Sequence, residues 1–234
     1  METLPNWVKV TLSSYRELIS LGQLRNFANS IFVSVVTTVI GVFLAALAAY
    51  AFTKLRFPGR KVIFYLLLIT LMVPAEITIP PLYLVFAKIN WLNTYQIQIV
   101  PFIAPTFGLF MIRQYMISIP DSLMEAARID GANEWQIFWR IMVPVTSPIL
   151  FAFAILQFLG IWNSYLWPQI MANTQSVAPL VVTLPTLTDP TLGEIPLYGT
   201  IMAGSVLATV PFVLIFLRFQ DKFISGVTIG ATKE

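Results

Sequence analysis

Between Arg25 and Lys54 the chain carries no charged residue, and most side chains in this stretch are apolar. A helix of this length is long enough to cross the hydrocarbon core of a bilayer, which is roughly 30 Å thick. We therefore predict a membrane-spanning helix at about 29–52. Ala45 and Ala49 within it have the small-xxx-small spacing at which a second helix can pack closely.

Further apolar stretches follow the first, and the composition agrees with burial in lipid. Hydrophobic residues make up 57% of the chain and charged residues 11%, with a mean hydropathy of +0.79. These values predict an all-α polytopic membrane protein. Prolines interrupt the second stretch, so we expect a kinked or broken span there. With the first span, the predicted spans number five, and the others are at about 62–87, 96–115, 148–167 and 197–219.

The distribution of lysine and arginine predicts the orientation of these spans. One side has ten basic residues, in the 54–61 loop, around the 120–144 segment and in the tail, whereas the other side has four. By the positive-inside rule, the side with ten is cytoplasmic. The predicted organisation is therefore an external N-terminal segment at 1–28, a transmembrane domain at 29–219 and a cytoplasmic tail at 220–234.

The segment 120–144 is polar and lies between two predicted spans. It holds four acidic residues against two arginines, so it is acidic within a chain of net charge +3. Such a surface suits a protein partner better than nucleic acid, whose phosphates it would repel. Gly131 can take the left-handed conformation that ends a helix without a Cβ penalty. We therefore predict a helical hairpin at the cytoplasmic surface.

Capping signals and an apolar stripe predict the two helices of this hairpin. Ser122 and Glu125 have the spacing of a capping box for the first helix, which should run to Asp130. Asn133 with Gln136 can begin the second helix, and a proline at 144 should end it. The second helix carries an apolar stripe at helical spacing, made of Trp135, Phe138, Trp139 and Met142. These features alone are equally compatible with an ordinary, well-capped cytoplasmic loop.

Absent residue types exclude several classes of function. The chain has no cysteine and no histidine, which excludes disulfides and thiol chemistry and removes the usual ligands of zinc, haem and iron–sulfur centres. No glycine opens a G-x-x-x-x-G-K-[ST] run, so the chain has no phosphate-binding loop of its own. We expect no metal and no cofactor on this chain, and any energy source must lie in another subunit.

Three motifs resemble a known family. The run Glu125-Ala126-Ala127, followed by Gly131, Ile141 and Val143-Pro144, resembles the signature loop of ABC importer permeases, with valine at 143 where leucine is usual. The segments WNSYLWP at 162–168 and FISGVTIGATK at 223–233 agree with it. Together they resemble the carbohydrate branch, and within it the second (MalG-like) permease of maltose-type transporters. The resemblance implies a MetI-like ABC permease fold.

The resemblance also implies a role for the hairpin. In that family its first helix is the coupling helix, which docks on a cytoplasmic ATPase and transmits nucleotide-driven closure to the spans. The implied coupling residues are Glu125, Ala126, Ala127, Asp130 and Gly131. A tail segment is implied to contact the ATPase pair, through Gly226, Thr228, Gly230 and Lys233.

By the same resemblance, the chain is a non-catalytic half of a sugar or oligosaccharide importer in the inner or plasma membrane of a prokaryote. Its implied partners are a second permease in a heterodimer, two ATPase subunits that hold ATP and Mg, an extracytoplasmic sugar-binding protein and membrane lipid. No nucleic acid is expected. Permeases of this type usually have six spans, so we expect the first helix to be missing, through a truncated gene model or a genuinely shortened subunit.

Candidate residues for a substrate path lie in the second and fourth spans. Glu76 is the only acidic residue inside an apolar stretch, and charge at membrane depth normally faces a cavity or a partner. Its position between Pro74 and Pro80 favours the alternative, a place near the outer surface, where the cost of a charge is small. Amide, indole and phenol groups suit sugars, and the fourth span offers Gln157, Trp162, Asn163 and Tyr165. Helix packing or an aromatic belt at the outer interface is the alternative for these residues.

Two other classes of function fit the sequence less well than a transport subunit. A self-contained secondary transporter or channel would show internal repeats and several buried ionisable groups, and the sequence shows no clear repeat. A membrane enzyme would need a nucleophile with a base or a metal cluster, and the carboxylates lie mostly outside the spans. The transport subunit is the favoured interpretation.

Overall fold

The computed structural model describes residues 6–188 and 198–228, and within them the chain forms helices and no strand. The first two helices are α1 (Asn6–Ser20) and α2 (Gln23–Lys54), and α2 contains the first predicted span. The remaining helices, in chain order, are α3 (Arg60–Thr70), α4 (Ala75–Lys88), α5 (Tyr95–Ile99), α6 (Thr106–Ile117), α7 (Ser122–Ile129), α8 (Glu134–Ile137), α9 (Val143–Val145), α10 (Ser147–Trp162), α11 (Leu166–Met171), α12 (Leu180–Thr183) and α13 (Tyr198–Thr228).

Several of these helices match the predicted spans. α2 and the segment Tyr95–Ile117 are each long and apolar enough to cross a membrane. Two bent pairs, α3 with α4 and the segment Glu134–Val145 with α10, bring the number of spans in the described residues to four at most. α13 contains a shorter apolar segment, Tyr198–Leu214. The prediction of an all-α polytopic membrane protein is confirmed.

Prolines break the helices at only some of the predicted places. α3 and α4 meet at 96°, which confirms the broken second span, but the break falls at Pro74, whereas Pro80 and Pro81 lie inside α4. In the third span, Pro101 lies in a 3-10 turn at Val100–Phe102, which interrupts the helix before α6. A proline breaks a helix where no neighbouring segment compensates for its missing N–H, so its position in the sequence does not locate the break by itself.

The ends of two predicted spans differ from the structure. The fourth span was predicted to reach 167, but α10 ends at Trp162 and α11 begins only at Leu166. The backbone N–H and the side-chain amide of Asn163 both donate to the Leu159 carbonyl, at 3.0 and 2.9 Å, so Asn163 caps the last turn of α10. α13 continues through Pro211 and past 219 as far as Thr228.

The chain divides into two compact units. Unit 1 comprises Met1–Val35, Pro81–Val100 and Leu159–Arg218, and unit 2 comprises Val36–Pro80, Pro101–Phe158 and Phe219–Glu234. In unit 1, Leu18 of α1 packs with Leu180 and Leu184 in a buried apolar cluster. The buried side-chain amide of Asn26 donates to the Ala178 carbonyl at 2.8 Å, which holds the segment before α12 to the start of α2.

Unit 2 has the larger apolar core, to which α2, α3, α6, α7 and α10 contribute. Ala45 and Ala49 are buried in it, as their small-xxx-small spacing predicts. Gly108 of α6 lies directly against the ring of Phe153 in α10, because a Cβ atom at position 108 would be 2.2 Å from the ring. α6 precedes the 120–144 hairpin and α10 follows it. This close contact therefore fixes the distance between the two helices that flank the hairpin.

Candidate functional site

A left-handed glycine sets the shape of the hairpin. α7 ends at Ile129, and Gly131 has φ +83°. The N–H of Ala132 donates to the Ala127 carbonyl at 2.9 Å, and the N–H of Gly131 donates to the Arg128 carbonyl at 3.0 Å. These two hydrogen bonds form a Schellman motif, which satisfies free carbonyls at the end of α7. The predicted glycine turn is confirmed.

The two predicted capping boxes have different outcomes. The box at Ser122 and Glu125 is wrong, because Asp121 is the N-cap residue and no side chain caps α7. The Asp121 carboxylate instead accepts a hydrogen bond from Lys54. The box at Asn133 and Gln136 is confirmed, with each side chain bonded to the other's backbone N–H at 2.9 Å.

Lys54, at the end of α2, pins the start of the hairpin. Its ammonium donates to the Ile119 carbonyl at 2.6 Å and to the Asp121 carboxylate at 2.7 Å, and its side chain is only 4% exposed. The hydrogen bond from Lys54 lowers the pKa of Asp121 below its ordinary value. The sequence alone indicates Lys54 only as a basic loop residue and does not predict this contact. Tyr50 and Lys54 lie four residues apart in α2, and this spacing is the sequence feature that places both polar side chains on one face of the helix.

A second contact ties α2 to the far side of the glycine turn. The hydroxyl of Tyr50, a residue that is 2% exposed, donates to the Glu134 carboxylate. Arg128 donates to the other oxygen of that carboxylate at 2.8 Å, so Glu134 joins α2, α7 and α8. Both sides of the hairpin are therefore attached to one face of α2. We call the residues Tyr50, Lys54, Asp121, Arg128 and Glu134 the polar clamp.

The predicted apolar stripe of the second helix is split. Phe138 and Met142 are buried, whereas Trp135 and Trp139 are 54% and 45% exposed. Phe138–Met142 forms a π-helix, whose wider turn moves side chains off the faces that α-helical spacing predicts. Pro144 lies in α9, which ends at Val145, and the chain bends by 77° between Glu134–Val145 and α10, so the helix ends one residue after the predicted stop.

α7 exposes a row of apolar residues on the side that faces away from the core. Met124 is 1% exposed and anchors the helix to the core of unit 2, and Ala127 packs against the same core. On the outward face, Leu123 is 42% exposed and Ile129 is 86% exposed, with Ala126 exposed between them. An apolar row held outward on a fixed helix is typical of a surface that binds a partner. Of the predicted coupling residues, Glu125, Ala126, Asp130 and Gly131 are exposed.

The predicted path residues occupy different environments in their own units. In unit 2, Glu76 is exposed in the first turn of α4, and Gln157 donates to the Phe102 carbonyl at 3.1 Å. In unit 1, Trp162 is 6% exposed and donates to the Ala208 carbonyl at 3.0 Å, whereas Tyr165 is 39% exposed. Their role in a substrate path stays a prediction.

The predicted tail contacts lie partly beyond what the structure describes. Gly226 and Thr228 belong to the last turns of α13. Gly230 and Lys233 lie outside the described residues. Their contact with an ATPase stays a prediction.

A polytopic helical chain that holds a hairpin outward on a polar clamp is built like the membrane subunit of a transporter. Residues 16–229 match the family described as binding-protein-dependent transport system inner membrane component. The chain belongs to this family, whose members are permease components of ABC importers. As such a component it is a transport permease of the inner membrane. Permeases of ABC importers work together with another permease, an ATPase and a substrate-binding protein.

Individual relatives agree with the family. The chain is similar to the arabinooligosaccharides transport system permease protein AraQ of Halalkalibacterium halodurans, at 40% identity over 88% of this chain and 73% of the relative. It is similar to the lactose transport system permease protein LacG of Rhizobium radiobacter, at 34% identity over 88% of this chain and 74% of the relative. It is 34% identical to the sn-glycerol-3-phosphate transport system permease protein UgpE of Yersinia pestis bv. Antiqua, over 85% of this chain and 70% of the relative.

A solved structure gives the same fold. It is the crystal structure of a bacterial ABC transporter involved in the import of the acidic polysaccharide alginate. The TM-score is 0.80 at 26% identity, over 90% of this chain and 79% of that chain. The prediction of a carbohydrate-type ABC importer permease with a MetI-like fold is confirmed.

Proposed function

We propose that this chain is one half of the translocation pathway of a sugar importer and that its 120–144 hairpin transmits the work of a cytoplasmic ATPase. The observation that carries the proposal is the outward apolar face of α7 on a helix fixed by the polar clamp. A docking helix transmits force only if it cannot move independently of the spans. Tyr50 and Lys54 attach the hairpin to α2 on both sides of its glycine turn, so a displacement of α7 moves a spanning helix.

The proposed assembly has two permeases in a heterodimer, two ATPase subunits that bind and hydrolyse ATP with Mg, and an extracytoplasmic sugar-binding protein. This chain hydrolyses nothing and binds no cofactor. The hairpin and the C-terminal tail face the cytoplasm, in agreement with the excess of lysine and arginine on that side. Relatives named for arabinooligosaccharide and lactose transport support a sugar or oligosaccharide as the substrate.

A pair of substitutions at Gly131 tests the coupling role. A Cβ at this position meets no atom within 4 Å, so the only cost of a larger residue is its left-handed backbone at φ +83°. Asparagine tolerates this conformation, whereas a β-branched residue does not. We expect Gly131→Val to lose copurified ATPase and sugar uptake while it still inserts in the membrane, and Gly131→Asn to retain both. Normal uptake by Gly131→Val would contradict the coupling role.

A second pair tests the docking face itself. Ala126 is exposed in the middle of the apolar row, and Ser118 is an exposed residue outside it. Ala126→Glu puts a charge where an apolar contact is proposed and should release the ATPase from the purified permease. Ser118→Glu should leave the ATPase bound, because that position is not part of the row.

A further inference from the structure

We propose that a polar cavity in unit 1 is a binding site for a neutral oligosaccharide during transport. This inference rests on the proposed sugar import and goes further by assigning a site in this subunit. The cavity has a volume of about 840 Å³, within the range of about 300–1,000 Å³ that is usual for small-molecule sites. Its walls come from the turn between α1 and α2, from α11 with the segment after it, and from α12 with the following 3-10 helix.

The side chains that line the cavity are those that bind sugar hydroxyls. The lining includes the amide residues Gln23, Gln169, Asn173 and Gln175, the threonines Thr183, Thr186 and Thr188, and Tyr165. Amides both donate and accept, as a sugar hydroxyl does, and a tyrosine ring can pack on the C–H face of a sugar ring. None of the described lining residues is charged. This composition favours a neutral sugar over an anionic one, whose charge would remain unpaired.

The walls are held in place before any ligand arrives. Thr183 donates to Gln23 at 2.6 Å in a buried hydrogen bond, which joins α12 to the start of α2. The side chain of Gln175 donates to the Leu21 carbonyl at 3.1 Å, and the N–H of Asn93 donates to the Met171 carbonyl at 2.8 Å. A site whose walls are already ordered loses less entropy when a ligand binds.

Two amides are left to contact a ligand. Gln169 and Asn173 are exposed in the cavity, and no hydrogen bond inside the described chain uses their side-chain amides. Gln169 lies in α11 and Asn173 just after it, and both line the cavity, so both can contact one bound molecule. The predicted path residue Tyr165 lines the same cavity, whereas Trp162 does not. The sequence pattern therefore indicates one residue of this site, Tyr165, and not the amides that follow it.

Protection of an introduced thiol tests the site, because the chain contains no cysteine of its own. The test uses the complete transporter, purified in nanodiscs, with Asn173→Cys in this chain. Alkylation of Cys at this position by N-ethylmaleimide is followed by peptide mass spectrometry. The probes are arabinotriose, lactose and sn-glycerol 3-phosphate, each added without the binding protein. Gln96→Cys is the control, because Gln96 is an exposed amide of unit 1 outside the cavity.

We expect a neutral sugar to slow alkylation at position 173 about tenfold at about ten times its Kd, by mass action. The control position should show no change, and sn-glycerol 3-phosphate should protect neither position. Adding Gln169→Leu to Asn173→Cys should remove most of the protection. If Asn173→Cys fails to assemble, Gln169→Cys replaces it with the same readout.

The outcomes separate this site from the proposed function. Uptake of arabinotriose or lactose by the unaltered transporter, with no protection of position 173 by the same sugar, would overturn the site and leave the function standing. Protection by the binding protein alone, with no sugar present, would also overturn it, because the cavity would then be a protein contact. Uptake of neither sugar would count against the proposed function and the site together.

Discussion

The contact between Gly108 and Phe153 makes a sharp prediction about the two helices that flank the hairpin. A methyl group at position 108 would lie 2.2, 2.4 and 2.8 Å from three ring atoms of Phe153, a residue that is 1% exposed. Carbon atoms in contact prefer separations of about 3.5–4.0 Å, so the ring or the helix must shift by more than about 1 Å. Overpacking of this kind costs about 1–3 kcal/mol.

The opposing term is the helix propensity of alanine. Replacing glycine by alanine inside a helix gains about 1 kcal/mol. Gly160, near the end of α10, isolates this term, because a Cβ there meets no atom within 4 Å. Gly160→Ala should therefore stabilise the protein by about 0.5–1 kcal/mol, and Gly108→Ala should be about 1–3 kcal/mol less stable than Gly160→Ala.

Thermal unfolding of the two variants in one detergent measures this difference. At about 2–4 °C per kcal/mol for a chain of this size, Gly108→Ala should melt about 2–12 °C below Gly160→Ala. Phe153→Leu opens space beside position 108, so it should destabilise the Gly108→Ala background less than it destabilises the unaltered chain. Equal melting temperatures for the two alanine variants, with no such coupling, would refute the close contact of α6 and α10.

Further predictions concern the polar clamp. Tyr50→Phe removes the donor to Glu134, a loss of about 1 kcal/mol, and should weaken stimulation of the partner ATPase, whereas the exposed Tyr65→Phe should not. Lys54→Met leaves the Ile119 carbonyl without its donor and should reduce copurification of the ATPase, whereas the exposed Lys61→Met should not. Because the pKa of Asp121 is lowered in the folded protein, its contact with Lys54 stabilises the fold fully above about pH 3.9, the ordinary pKa of aspartate. That stabilisation is lost as the pH falls through the lower pKa of the folded state. The melting difference between the unaltered chain and Asp121→Ala should hold from pH 7 to about 5 and shrink below about 4.

Local patterns predicted the features that depend on neighbouring residues in the chain. The charge-free stretch after Arg25 became α2, and the left-handed turn at Gly131 and the capping box at Asn133 formed as their residue types indicate. Each of these follows from one periodicity or from one residue with a special backbone preference. Such features need no knowledge of what packs against them.

Features that depend on a distant partner were missed or misplaced. The N-cap residue of α7 is Asp121 and not Ser122, and the Asp121 carboxylate accepts a hydrogen bond from Lys54, which is far away in the sequence. The π-helix after α8 splits the stripe because its rotation buries Phe138 and Met142 in a core to which α2 and α6 also contribute. The cavity of unit 1 is built from three separate segments of the chain. A local sequence pattern therefore predicted only one of its lining residues, Tyr165.

The polar clamp also explains why the hairpin must be acidic at particular positions. Unpaired Tyr50 and Lys54 would be costly, because both side chains are almost fully buried at the end of α2. Asp121 and Glu134 satisfy them from opposite sides of the Gly131 turn, so the two carboxylates hold the hairpin and are not free for a partner. Within the part of the chain that the structure describes, Glu125 and Asp130 make no such hydrogen bond, and both are exposed, as are Ala126 and Ile129. The acidic residues therefore divide into two that fix the helix and two that are exposed beside the proposed docking face.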